Sequence, residues 1–181
     1  ERVVRLEPAH AKAWNNLGVS RQKLGREAPA AAAYRQALAI DPSLLQAVIN
    51  LAHLCRESGD FAGAEPLFAQ AAALDPSNPE TWEALGRVRV RLGLPDPALD
   101  AFRGWLACDR SRLDPYLNLA GIEIARGNPA AAERWFQGAL EHHPANPMLR
   151  HMFAAVRGET TAMPAEGYVE QLFDGMAPDF D

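Results

Sequence analysis

The sequence predicts an all-α protein, a solenoid of stacked helix pairs, on three observations. Alanine supplies 34 of the 181 residues, whereas Val, Ile and Thr together supply 15. Alanine is the best helix former, and strands favour the β-branched residues that are scarce here. A set of residue columns recurs every 34 positions. Glycine and proline fall at fixed places within that period, where they stop helices and turn the chain.

Composition narrows the classes. Hydrophobic content of 48% beside 23% charged residues belongs to a folded chain. No apolar run approaches the roughly 20 residues of a membrane-spanning helix, so no membrane partner is expected. The opening Glu1-Arg2-Val3-Val4-Arg5-Leu6 has neither an initiator methionine nor a signal-peptide block, and reads as part of something longer. Cys55 and Cys108 lie 53 residues apart without CxxC spacing, so a reduced, cytoplasmic setting is expected. Sixteen Arg against two Lys, with so much alanine, suggest a G+C-rich bacterial coding sequence. Of the net charge of −5, residues 1–157 carry +1 and the residues after Arg157 carry −6. A nearly neutral body offers no basic field for a phosphate backbone, so no nucleic-acid partner is expected.

The period is carried by seven columns. Trp14, Val48, Trp82 and Tyr116 stand 34 apart, as do Leu17, Leu51, Leu85 and Leu119. The same interval separates Gly18, Ala52, Gly86 and Ala120, and then Gly25, Gly59, Gly93 and Gly127. Ala30, Ala64, Ala98 and Ala132 follow, and after them Tyr34, Phe68, Phe102 and Phe136. Pro42, Pro76 and Pro144 close three units, and Arg110 breaks that series. The pattern Trp14-x₂-Leu17-Gly18, Ala30-x₃-Tyr34, Pro42 resembles the tetratricopeptide repeat (TPR) family. The resemblance implies a right-handed superhelical solenoid of helix-turn-helix repeats over residues 1–157.

Each element follows in order. Residues 1–10 end in Leu6-Glu7-Pro8, the close of an earlier repeat. Full repeats are expected at 11–44, 45–78, 79–112 and 113–146, with a partial repeat or cap at 147–157. In the first, Trp14, Leu17, Gly18, Val19 and Leu24 lie near helical spacing, and so do Ala30, Ala33, Tyr34, Ala37, Leu38 and Ile40. Gly25 turns the chain between them, and Asp41-Pro42 stops the second helix. In the third, Trp105 takes the column of Ala37, Ala71 and Ala139, and Asp109-Arg110-Ser111-Arg112 replaces the proline corner. Overpacking costs about 1–3 kcal/mol unless neighbours rearrange. Helix 95–108 is therefore expected to be shifted or to end differently, changing the local superhelical pitch.

Residues 158–167 read as a linker, and 168–181 as a short amphipathic helix leading to a missing C-terminal domain. Tyr168, Leu172, Phe173 and Met176 share one helical face and form a docking helix. Tyr168-Val169, Leu172-Phe173-Asp174, Met176-Ala177 and Phe180-Asp181 resemble the segment that precedes the methyltransferase domain in bacterial TPR-methyltransferase proteins. That resemblance implies a S-adenosylmethionine-dependent (SAM-dependent) enzyme in the parent protein, in intramolecular contact with this chain.

The chain itself is not expected to be an enzyme. It lacks GxGxxG, a P-loop, HExxH and GxSxG, and no cofactor is expected to bind it. Cys55 lies within a first-type helix and reads as a packed thiol, and no base accompanies Cys108. His142-His143-Pro144 has no further ligand at metal spacing and suits the negative end of a helix.

The TPR resemblance implies a concave groove lined by the first helix of each repeat, binding an extended peptide or protein partner. Its candidate residues are Lys12, Asn16, Gln46, Asn50, His53, Arg56, Arg87, Arg91 and Asn118. Asn16, Asn50 and Asn118 share one column, interrupted by Ala84. Such an asparagine ladder can hold peptide main chain, because an amide both donates and accepts. A carboxylate clamp is not expected: its positions hold Asn15, Val19, Asn50, Glu80 and Ala84, and Glu80 puts an acid where a cation is needed. The function expected is an interaction scaffold, the recruiting N-terminal region of a SAM-dependent methyltransferase. The alternatives are a stand-alone TPR adaptor or the recruiting arm of a glycosyltransferase.

Overall fold

A computed structural model describes residue 7 and residues 9–159, and among them nine α-helices and no strand. They are α1 (Ala11–Lys23), α2 (Glu27–Ile40), α3 (Leu45–Glu57), α4 (Phe61–Leu74), α5 (Pro79–Arg91), α6 (Pro95–Cys108), α7 (Asp114–Ala125), α8 (Pro129–His142) and α9 (Pro147–Val156). The expected docking helix with Tyr168, Leu172, Phe173 and Met176 lies outside the described residues. The chain divides into two compact units, residues 1–88 and 89–181, with the division inside α5.

In the first unit α1 packs on α2, α3 on α4, and α2 on α3. The turns are built by glycine: Gly25 and Gly59 have φ of 69° and 81°, the left-handed region closed to most side chains. After α1, the Gly25 N–H donates to the Gln22 carbonyl and the Arg26 N–H to the Arg21 carbonyl. That pair satisfies carbonyls the helix leaves open. Tyr34 and Phe68 are fully buried. The Tyr34 ring lies against Gly18, where an added methyl would fall inside its van der Waals radius. Gly18 therefore sets how closely α1 and α2 approach.

The second unit repeats the plan. Gly93 and Gly127 take φ of 67° and 71°, with the same two hydrogen bonds behind each. Tyr116, Ala120, Ala132, Phe136, Ala139 and Leu149 form its buried cluster, flanked by Trp135, Met152, Phe153 and Val156. Gly158 closes α9 in the same way after 10 residues, where α1 and α3 run for 13.

The third repeat corrects one expectation. Helix α6 has 14 residues, as α2, α4 and α8 do, and it neither starts nor ends out of register. Its Asp109 N–H returns to the Trp105 carbonyl, as Asp41 does to Ala37 and Asp75 to Ala71. The corner needs no proline because Asp109 Oδ1 accepts from the Ser111 N–H at 2.9 Å and from its hydroxyl at 2.6 Å. Asp41–Ser43 and Asp75–Ser77 make the same turn. Trp105 is absorbed within the helix register, 1% exposed and 6.3 Å from the Phe102 ring. The indole Nε1–H has no partner among the described residues.

Candidate functional site

The seam between α1 and α3, within the first unit, is crossed by two side-chain hydrogen bonds. Asn15 is buried on α1, and its Oδ1 accepts from Asn50 Nδ2 of α3 at 2.9 Å. Two turns further along, the Tyr34 hydroxyl of α2 donates to Gln22 Oε1 at 2.8 Å. Gln22 Nε2 then reaches Glu57 Oε2 at 3.5 Å. Burial pushes the Tyr34 phenol above its ordinary range, and the charge of Glu57 adds to that rise. The seam thus ends on two α3 groups, a half-buried amide and an exposed carboxylate.

The sequence-derived site residues are placed differently from one another. Asn16 is exposed on α1, and Lys12 and Gln46 are exposed at the first turns of α1 and α3. Asn50 is partly engaged by Asn15, and in the second unit Asn118 Nδ2 donates back to the Asp114 carbonyl at 2.8 Å. His53 turns toward α4, where its ring meets Phe68 edge-on at 5.1 Å. Burial holds its pKa below the usual histidine value, the neighbouring Arg56 lowers it further, and Glu57 partly opposes them. Arg56 is half-buried, and Arg87 pairs with Glu83 at 2.8 Å. Arg91 is exposed in the second unit. Among the ladder amides, only Asn50 has its partner on another helix.

Sequence reasoning missed the bridges from Asn15 and Gln22. Their spacings, 35 residues in each case, are one period plus one, so each joins neighbouring columns. Tyr34 was the one visible signal, a hydroxyl in a column otherwise filled by phenylalanine.

The two thiols and the His142-His143 pair are placed as follows. Cys55 is buried, and burial raises its thiol pKa, with Asp60 adding to the rise. Cys108 Sγ donates to the Gly104 carbonyl at 3.3 Å. The His143 N–H caps α8 at the Ala139 carbonyl, and His142 lies 6.2 Å from the Tyr116 ring. Among the described residues no three His, Cys, Asp or Glu side chains are grouped to hold a metal. Nor is any described helix long and apolar enough to cross a membrane.

Helix pairs repeated at a fixed period and joined by glycine corners define an α-helical repeat scaffold. Two tetratricopeptide-repeat family models match, at residues 11–44 and 49–116, and the chain belongs to that family. Cellulose synthase operon protein C of Pseudomonas fluorescens (strain SBW25) is 28% identical over 151 residues, covering 78% of this chain. The chain spans 12% of the length of that relative. Among solved structures it is similar to YrrB, described as a TPR protein with an unusual peptide-binding site. That likeness has a TM-score of 0.70 at 17% identity, over 87% of this chain and 81% of that one. It is also similar to PilW, a type IV pilus biogenesis factor, with a TM-score of 0.60 and 25% identity. That likeness covers 81% of this chain and 69% of the other.

Proposed function

We propose that this chain is an interaction scaffold whose first-type helices hold an extended peptide by its main chain. The observation that carries the reading is Asn50, half-exposed on α3 and tethered through one N–H to Asn15. Its Oδ1 and second N–H remain to meet the N–H and C=O of a peptide. Exposed Asn16, one period earlier, offers a second amide, and Asn118 supplies the corresponding group of the second unit. The triple replacement of Asn16, Asn50 and Asn118 by Ala is expected to weaken retention of random peptides about tenfold, with helical circular dichroism unchanged. Undiminished retention would remove the amides from the site.

The finer reading makes this chain the recruiting region of a SAM-dependent methyltransferase, in contact with a catalytic domain of the parent protein. It is supported by Tyr168–Asp181 alone. The alternatives are a stand-alone TPR adaptor with no enzyme attached, the scaffold reading, and the recruiting arm of a glycosyltransferase. The free thiols Cys55 and Cys108 suit a reduced, cytoplasmic setting. Calorimetric titration of SAM into the parent protein and into this chain separates the readings. Heat from the parent alone is the expected result, and heat from neither would favour the scaffold.

A further inference from the structure

The first repeat departs from the others at the α1–α3 seam in a way the fold does not require. Tyr34 stands in a column that Phe68, Phe102 and Phe136 fill, all of them buried. Asn15 holds the place that Ile49 takes in the next repeat, and Gln22 the place of Arg56. Helix pairs therefore form without this hydroxyl and these amides. In the first repeat the three polar groups lead to two side chains of α3, Asn50 and Glu57. Those residues are seven apart, so they share a helix face at a separation of about 10.5 Å. An extended peptide covers about 10 Å in three residues.

We infer that the α1–α3 seam selects extended peptides bearing a lysine or arginine three residues from the peptide unit held by Asn50. Glu57 is the group that meets the cation, and the inference rests on the peptide-binding function proposed above. Asn15 and Gln22 are positioning residues: Asn15 holds Asn50 at 2.9 Å, and Gln22 reaches Glu57 at 3.5 Å. A side chain already oriented has less freedom to lose when a ligand arrives. Lys12 and Lys23 are exposed near opposite ends of α1. Arg56 precedes Glu57 and lies about 100° around the helix from it.

The test uses the full 181-residue chain and pools of random 12-residue peptides that differ at one fixed position, lysine, glutamine or glutamate. The lysine pool is expected to be retained about threefold better than the glutamine pool, the scale of an exposed ion pair. Glu57→Gln should abolish that preference, and glutamate should be the weakest pool for the native chain. Tyr34→Phe, a residue this column accepts in the other repeats, should reduce the preference without loss of helicity. Asn15→Leu should weaken every pool alike and leave the lysine-to-glutamine ratio intact. Preference for glutamate, or a lysine preference that survives Glu57→Gln, would overturn the inference alone. Peptide retention indifferent to Asn50→Ala, or no retention of any pool, would overturn the peptide-binding function beneath it.

Discussion

His53 shows how far a residue's role departs from its column. Its place on a first-type helix put it among the groove candidates, yet its ring packs on Phe68. Burial and the neighbouring Arg56 both disfavour the charged imidazole, although Glu57 favours it. The folded pKa is thus below the unfolded value of 6.5, and the unfolded chain takes up the proton first. Stability contributed by neutral His53 is present above that value and is lost as pH falls through it toward the folded pKa. The urea midpoint is therefore expected to drop between pH 7.5 and pH 5.5, and His53→Gln should flatten the drop. Equal pH sensitivity in the variant would assign the acid effect to other groups. Asn15 marks the converse limit of sequence reading. Its neighbour Asn16 was visible as a ladder member from the 34-residue spacing, whereas the Asn15–Asn50 bridge depends on how two helices cross. Periodicity records which residues repeat, not which neighbouring columns touch.

At the scale of the element, the corners after α2, α4 and α6 are set by aspartate and serine. Proline was the residue the pattern made conspicuous, and its loss at Arg110 led to the expectation of a disturbed α6. The Asp-x-Ser spacing was equally legible at Asp41, Asp75 and Asp109, and it alone spans all three corners. Aspartate closes a turn by accepting from the backbone two residues on, which proline cannot do. Serine bonding also holds the Asp109 carboxyl below its ordinary pKa, with Arg112 and His142 lowering it further. Arg110 is then a site where proline should be tolerated. Asp109 is extended, with φ −152° and ψ 102°, as a residue before proline prefers. Arg110→Pro is expected to stabilise the chain by about 0.4–1 kcal/mol, through a less flexible unfolded state. A urea titration checks it, and destabilisation would mean that the third corner differs from those at Pro42 and Pro76.

For the molecule as a whole, the division into two compact units gives local damage a local expectation. Helical repeats draw stability from their own packing and from immediate neighbours, so the consequences of a cavity fall off along the array. Trp105 is the largest of the fully buried side chains and belongs to the second unit. Its replacement by Ala removes a ring from a close-packed core, at a cost of about 3–5 kcal/mol. The unpartnered indole N–H offsets part of the native gain, because a buried donor without an acceptor retains its desolvation penalty. Hydrogen exchange should therefore quicken across α6 to α8 in Trp105→Ala while amides of α1 to α4 keep their protection. Peptide retention through Asn50 should persist in the same variant, since Asn15, Gln22, Tyr34 and Glu57 all lie in the first unit. Parallel loss of protection in both units would instead make the chain one cooperative body, and would make the α1–α3 seam depend on packing more than 40 residues away along the chain.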